Sequence, residues 1–204
     1  MKRLLFLLVI VLAGISVYWF MLRKKGGPKA PKQAAMVLKN HSDLFNKSVD
    51  SAVAQYLAIK NAFIESDTAT AKKSTAAFIN LLDSIPLIEL KKDTASIFET
   101  AQASISDIKA NAQSLLQQTD ITEMRKDFSM LTDMMFPSFF KSINYEGPTL
   151  YLENCPMAFG DDAPANWISD NSEIVNPYLG KTHPTYRATM LHCGEVKDSI
   201  VAKK

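Results

Sequence analysis

Histidine and cysteine are scarce in this chain, with three and two among 204 residues. The histidines, His41, His183 and His192, stand in unlike contexts, so no nucleophile–base pair can be argued from them. The sequence has no Gly-x-Ser-x-Gly, no phosphate-binding glycine loop and no His-Glu-x-x-His, which leaves hydrolase, nucleotide and zinc-protease chemistry without a signature. A non-enzymatic role is expected. The two cysteines do not form Cys-x-x-Cys, so thioredoxin-like exchange is unsupported. Internal repeats and low-complexity tracts are missing. No basic patch with interleaved aromatics is present, which argues against nucleic acid as a partner.

Charge is unevenly placed. Residues 1–33 carry Lys2, Arg3, Arg23, Lys24, Lys25, Lys29 and Lys32 and no acid, so a chain of formal charge +2 is left with −5 over residues 34–204. Between Arg3 and Arg23 runs the uncharged stretch Leu4 to Leu22. At about 1.5 Å per residue it nearly matches a hydrocarbon core of about 30 Å. Tyr18 and Trp19 sit near one end, where amphipathic rings prefer the membrane interface. Ala13-Gly14-Ile15-Ser16 is a poor cleavage site, so an uncleaved anchor over residues 1–22 is favoured over a removed signal. Orientation is open on charge alone. The cations after the span favour a cytoplasmic domain by the positive-inside rule, whereas Met1-Lys2-Arg3 before an apolar run resembles the start of an exported chain.

A Gly/Pro/Lys-rich linker over residues 23–33 precedes a helical region over 34–144. Val37, His41, Phe45, Val49, Ala52, Tyr56 and Phe63 recur at three- and four-residue steps and predict a first helix of about 30 residues. Ser66 or Asp67 caps a second helix with Ala71, Phe78, Leu81 and Leu82 inward, closed by Pro86. Asp93 reads as the cap of a third, carrying Ile97, Ala101, Ile105, Ile108, Ala112 and Leu115. Thr119 or Asp120 starts a fourth with Ile121, Met124, Phe128, Leu131, Met135 and Phe139. Pro137 falls inside that pattern and predicts a kink or an early end. The expected fold is mainly α: an N-terminal transmembrane helix, an antiparallel four-helix bundle, and a small irregular C-terminal module over 145–204 packed on the bundle. Within that module Thr149–Leu152 and Ala188–Leu191 read as short strands.

Candidate chemistry concentrates in this tail, in Asn154-Cys155-Pro156-Met157 and Met190-Leu191-His192-Cys193-Gly194. Thiolate and thioether are soft donors that favour Cu(I) over harder ions. Cys155 and Met157 would share one face of an extended strand, as would Met190 and His192. The candidate metal ligands are therefore Cys155, Met157, Met190, His192 and Cys193. The same cysteines could equally close a disulfide over a loop of about 40 residues. Both methionines are also plausible core filler, as are Met124, Met130, Met134 and Met135 on the fourth helix. His41 reads as a half-buried histidine with a hydrogen-bond partner and His183 as solvated. Trp167, Asn176, Pro177 and Tyr178 read as structural. Asp161-Asp162 falls short of a calcium loop.

The tail pattern Cys-Pro-Met-Ala, Trp-Ile-Ser, Ile-x-Asn-Pro-Tyr-x-Gly and Met-Leu-x-Cys-Gly resembles an uncharacterised periplasmic family of Bacteroidota, a domain of unknown function found alone or fused to heavy-metal efflux adaptor proteins. Tyr56-Leu57-Ala58-Ile59-Lys60-Asn61-Ala62 resembles a stretch of its helical half. The resemblance spans roughly residues 40–200. It implies an inner-membrane protein with a periplasmic domain and a link to copper or related metal handling, with efflux or copper-handling proteins as partners. The chain departs from the pattern at Lys181 to Arg187, a loop that separates Asn-Pro-Tyr-x-Gly from Met-Leu and brings in His183. Two readings stand. One is a membrane-anchored protein that binds Cu(I) for sequestration or transfer. The other is a docking module of an envelope complex, stapled by a Cys155–Cys193 disulfide. A thiol redox sensor is a third.

Overall fold

The computed structural model describes residues 40–93 and 95–202 together with Tyr18. The expected anchor and linker lie outside the described residues. Among the described residues no helix is long and apolar enough to cross a membrane. Two compact units divide the chain, Met1–Val37 and Leu38–Lys204, and the second contains everything that follows.

Helix α1 spans Asp43–Ile64. Its start is set by Ser42, whose side chain accepts from Phe45 N at 3.2 Å. Ser42 is itself held by Glu89, which accepts from its N–H and its hydroxyl. The helix is thus shorter than the predicted 30 residues, because a cap fixed from outside stops it at Asp43, and His41 stands just before the helix rather than on its stripe. The His41 ring stacks on Phe45, and its Nε2 bonds the Ile143 carbonyl. Phe45, Val49, Ala52, Tyr56, Ile59 and Phe63 form the buried face.

The end of α1 is a Schellman turn. Asp67 N donates to Ala62 O at 2.9 Å and Ser66 N to Phe63 O at 3.2 Å, with Ser66 left-handed at φ 57°. Asp67 then caps α2, Thr68–Ser84, by accepting from Thr70 N. After Pro86 a 3-10 segment, Leu87–Lys92, leads to α3, Ala95–Gln117. Asp93 ends that 3-10 segment, and the residue that would cap α3 is outside the described set. Asp120 caps α4, Ile121–Met134, accepting from Thr122 N and Glu123 N. The expected break at Pro137 is present: Phe136 is extended, Phe136–Pro137 is cis, and a π-type turn over Met135–Phe139 precedes the short α5, Phe140–Ser142.

Each of α1 to α4 packs on the next in sequence. Rings from α1 and α4 close the bundle, Tyr56 stacking on Phe128 at 4.9 Å and Phe63 lying 5.3 Å from the same ring. Met124 and Met135 are core residues, as expected of helical methionines, while Met130 is 52% exposed.

The tail is a three-stranded antiparallel sheet with order β2-β1-β3: β1 Leu150–Cys155, β2 Ala165–Ser169 and β3 Glu195–Ile200. Strand β2 faces α4 and α1. The Tyr56 hydroxyl accepts from Ile168 N at 3.1 Å, which ties sheet to bundle. One core cluster runs from Phe45 to Leu179, so the module shares the bundle's interior.

Two strand expectations change. Strand β1 runs on through Cys155, three residues past the expected end. Ala188–Leu191 is not a strand: Leu191 N bonds Ala188 O and Cys193 N bonds Met190 O in successive tight turns. The third strand is instead Glu195–Ile200, exposed along most of its length. A polar edge strand shows no apolar alternation in sequence.

Candidate functional site

The tail motif closes on itself. Asn176, fully buried, organises it. Its N–H donates to Leu191 O at 2.8 Å and its side-chain amide to Cys193 O at 2.8 Å. Its side-chain oxygen accepts from Tyr178 N and Leu179 N, the Asx turn that Asn-Pro predisposes. Tyr178 sets its ring edge-on to Trp167 at 5.9 Å and donates its hydroxyl to Asn166 O. Gly194, at φ 147°, admits no side chain: a Cβ there would stand 2.7 Å from Asn154 O and 2.9 Å from the Trp167 ring. The absent side chain lets β3 enter beside β1 and sets Cys193 against the end of that strand.

Cys155 and Cys193 meet there. Cys155 is 0% exposed on β1 opposite Ala165, and Cys193 is half-buried. Both are free thiols, and their sulfur atoms lie 3.2 Å apart. Burial, and then the neighbouring Cys155, push the Cys193 thiol up to about 11. It therefore stays protonated at neutral pH and is a poor nucleophile.

The other three expected ligands are placed differently. Met190, half-buried against the core, begins the tight turn whose carbonyl receives Cys193 N. His192 is exposed, with Nδ1 bonded to Ile174 O at 2.7 Å. Met157 lines a cleft beside Arg125 and Tyr186, and neither cysteine is among that cleft's walls. Among the described residues no group of three or more His, Cys, Asp and Glu is placed to hold a metal ion.

Two polar features went unnoticed in the sequence. The first is Glu153 on β1, 0% exposed, with neither carboxylate oxygen hydrogen-bonded among the described residues. Burial pushes its carboxyl up to about 7, against the pull of the Lys60 ammonium and of the Trp167 indole N–H on the facing strand. Lys60, on the buried face of α1, donates to Ser169 Oγ at 3.1 Å and lies 4.0 Å from Asp170. Its own pKa is lowered, chiefly by burial. Periodicity was the available signal: strand alternation puts Glu153 on the face of Cys155, and helical spacing puts Lys60 on the face of Tyr56.

The second is Arg125 on α4, 5% exposed. Its Nη2 donates to Phe63 O at 2.7 Å and to Ser66 Oγ at 3.2 Å, serving the carbonyl end of α1. Gly180, at φ 56°, gives that end room: a Cβ there would stand 2.9 Å from Ile64 O and 3.0 Å from Arg125 Nη2. His183 is half-buried rather than solvated, stacked on Tyr186 with Nδ1 accepting from Thr185 N and Tyr186 N.

Comparison with curated proteins and with solved structures finds no match. Residues 52–144 match the family model described as a protein of unknown function (DUF3347). The match ends before β1, so none of Cys155, Met157, Met190, His192 and Cys193 falls within it. Residues 52–144, from within α1 through α5, are therefore similar to an uncharacterised domain of that description.

Proposed function

We propose that this chain is a membrane-anchored, non-enzymatic protein of the bacterial envelope whose working centre is the Cys155–Cys193 thiol pair. Reduced, the pair takes one soft ion, Cu(I) foremost. When a disulfide oxidant takes two protons and two electrons from it, the pair closes as a disulfide and excludes the ion. The observation that carries this reading is the 3.2 Å contact between two sulfurs that are 38 residues apart in the chain. Thiolate and thioether donors favour Cu(I), Zn2+ and iron–sulfur clusters over harder ions. Zn2+ asks for a near-tetrahedral set of four donors, which a two-cysteine site with a neighbouring thioether does not supply. Met190 is the expected third donor. Met157 and His192 reach the pair only by rearrangement, since one lines a separate cleft and the other is exposed. In a three-donor trigonal site with metal–sulfur bonds of about 2.3 Å, two sulfurs stand roughly 4.0 Å apart. The pair therefore parts slightly to seat an ion. The role is sequestration or transfer to an efflux or copper-handling partner, with the domain held at the inner membrane by residues 4–22 and facing the periplasm.

The same distance also favours a second reading, because 3.2 Å is tighter than sulfurs sharing a metal. There the pair is a permanent staple worth about 2–4 kcal/mol, and the bundle is a docking module of an envelope complex. Titration of the reduced full chain in detergent with Cu(I), against a competing chelator, separates the two. The first reading expects one copper per chain, lost in both Cys155→Ser and Cys193→Ser and weakened in Met190→Ala, with helical content unchanged. Equal uptake by wild type and both serine variants would sink it.

A further inference from the structure

The cleft between the start of α4, the Met157–Gly160 turn and the 183–186 loop has a volume of about 470 Å3. That is the size of an ordinary small-molecule site. Arg125 lines it, buried. A buried cation is normally offset by a carboxylate, yet Arg125 forms no ion pair among the described residues. Only Nη2 is engaged, on the Phe63 carbonyl and the Ser66 hydroxyl. Nε is shielded from solvent and has no hydrogen-bond partner among the described residues. Service to the end of α1 occupies Nη2, and Nε is closed off, so Nη1 is the guanidinium nitrogen left for the cleft.

The rest of the lining narrows the ligand. Ile121, Met157, Phe159, Leu179 and Tyr186 give apolar and aromatic walls. His183, the other basic residue of the cleft, is held below its ordinary pKa by burial and by Arg125, so it adds no charge at neutral pH. Asp120, also on the lining, is committed to capping α4, and its pKa is lowered by those backbone bonds. An ionised carboxylate on the lining repels every anion, and multiply charged ones most strongly. Nη1 can give a carboxylate oxygen one charge-assisted hydrogen bond.

We propose that this cleft binds a small organic monocarboxylate with an apolar or aromatic body, its carboxylate on Arg125 and its body against Phe159, Met157 and Tyr186. The site is separate from the cysteine pair and does not depend on the metal reading.

The test follows 4-fluorobenzoate by fluorine NMR line broadening on the full chain in lipid nanodiscs, with protein-free nanodiscs as the blank. 4-Fluorobenzyl alcohol serves as the uncharged analogue and inorganic phosphate as competitor. The expected result is saturation at one site, with the alcohol weaker by about tenfold or more and no displacement by phosphate. Arg125→Gln removes binding. Because that variant also loses a bond to α1, Thr122→Glu is the second probe. Thr122 is exposed in the first turn of α4 and lines the cleft. A carboxylate there suits the helix start and repels the ligand, so binding falls by about tenfold while the fold is kept. Equal binding of acid and alcohol, displacement by phosphate, unchanged binding by Thr122→Glu, or no broadening at millimolar ligand would each overturn the assignment.

Discussion

Replacing Glu153 by glutamine isolates the cost of a buried carboxyl. Burial raises this group from its ordinary 4.5 to about 7. A folded-state pKa above the unfolded one means that the group contributes its full stability below about pH 4.5. That contribution is lost as pH rises through 7. At about 1.4 kcal/mol per pH unit, the displacement amounts to about 3 kcal/mol by pH 8. Glu153→Gln keeps the shape and removes the proton equilibrium, and Lys60 retains Ser169 and Asp170 as partners. Urea unfolding of the compact unit Leu38–Lys204, followed by helical circular dichroism at pH 4.5, 6, 7 and 8, reads the difference. The two proteins are expected to be nearly equal at pH 4.5, with the glutamine variant ahead by about 3 kcal/mol at pH 8. A difference that does not change with pH, or a glutamine variant that is the weaker at pH 8, would refute the account of Glu153 as a carboxyl whose burial outweighs the pull of Lys60 and Trp167.

Three further substitutions test the frame around the site. Asp120→Ala removes the cap of α4, with its bonds to Thr122 N and Glu123 N, and is expected to cost about 1 kcal/mol in thermal or urea unfolding. Gly180→Ala places a Cβ in a left-handed position and 2.9 Å from Ile64 O, so a loss of about 2 kcal/mol is expected, against a null effect if the loop simply shifts. Tyr56→Phe leaves the buried Ile168 N–H without its acceptor. It should cost about 1–3 kcal/mol and speed amide exchange at Ile168 ahead of the helices.

The helices were legible because each is announced by both a stripe and a cap. Asp67 and Asp120 stand just before apolar runs, and each accepts the backbone bonds that its position predicts. Pro137 marked the break for a local steric reason. The start of α1 was hidden because Glu89, 47 residues away, holds its cap, and no window of sequence shows that pairing. Strand β3 was hidden for the opposite reason, as an exposed edge strand has no buried face to pattern. In the candidate site, the two cysteines were visible as residue types but their contact was not. It arises from Asn176 gathering Leu191 and Cys193 by hydrogen bonds, and from Gly194 passing the Trp167 ring. Strand-face arguments for Met190 and His192 failed because that segment turns rather than extends. Arg125 and Lys60 stand in no motif, and their partners Phe63 O and Ser169 Oγ lie 62 and 109 residues away in the chain.

Copper and free thiols counted together, on one preparation of the full chain before and after oxidation, test the central claim most directly. The account predicts two free thiols, counted after denaturation, and one Cu(I) per chain in the reduced protein. After oxidation it predicts no thiols and no copper, restored by a reductant. No copper in either state, or the same amount in both, would contradict a redox-gated soft-metal site and leave Cys155 and Cys193 as a structural staple.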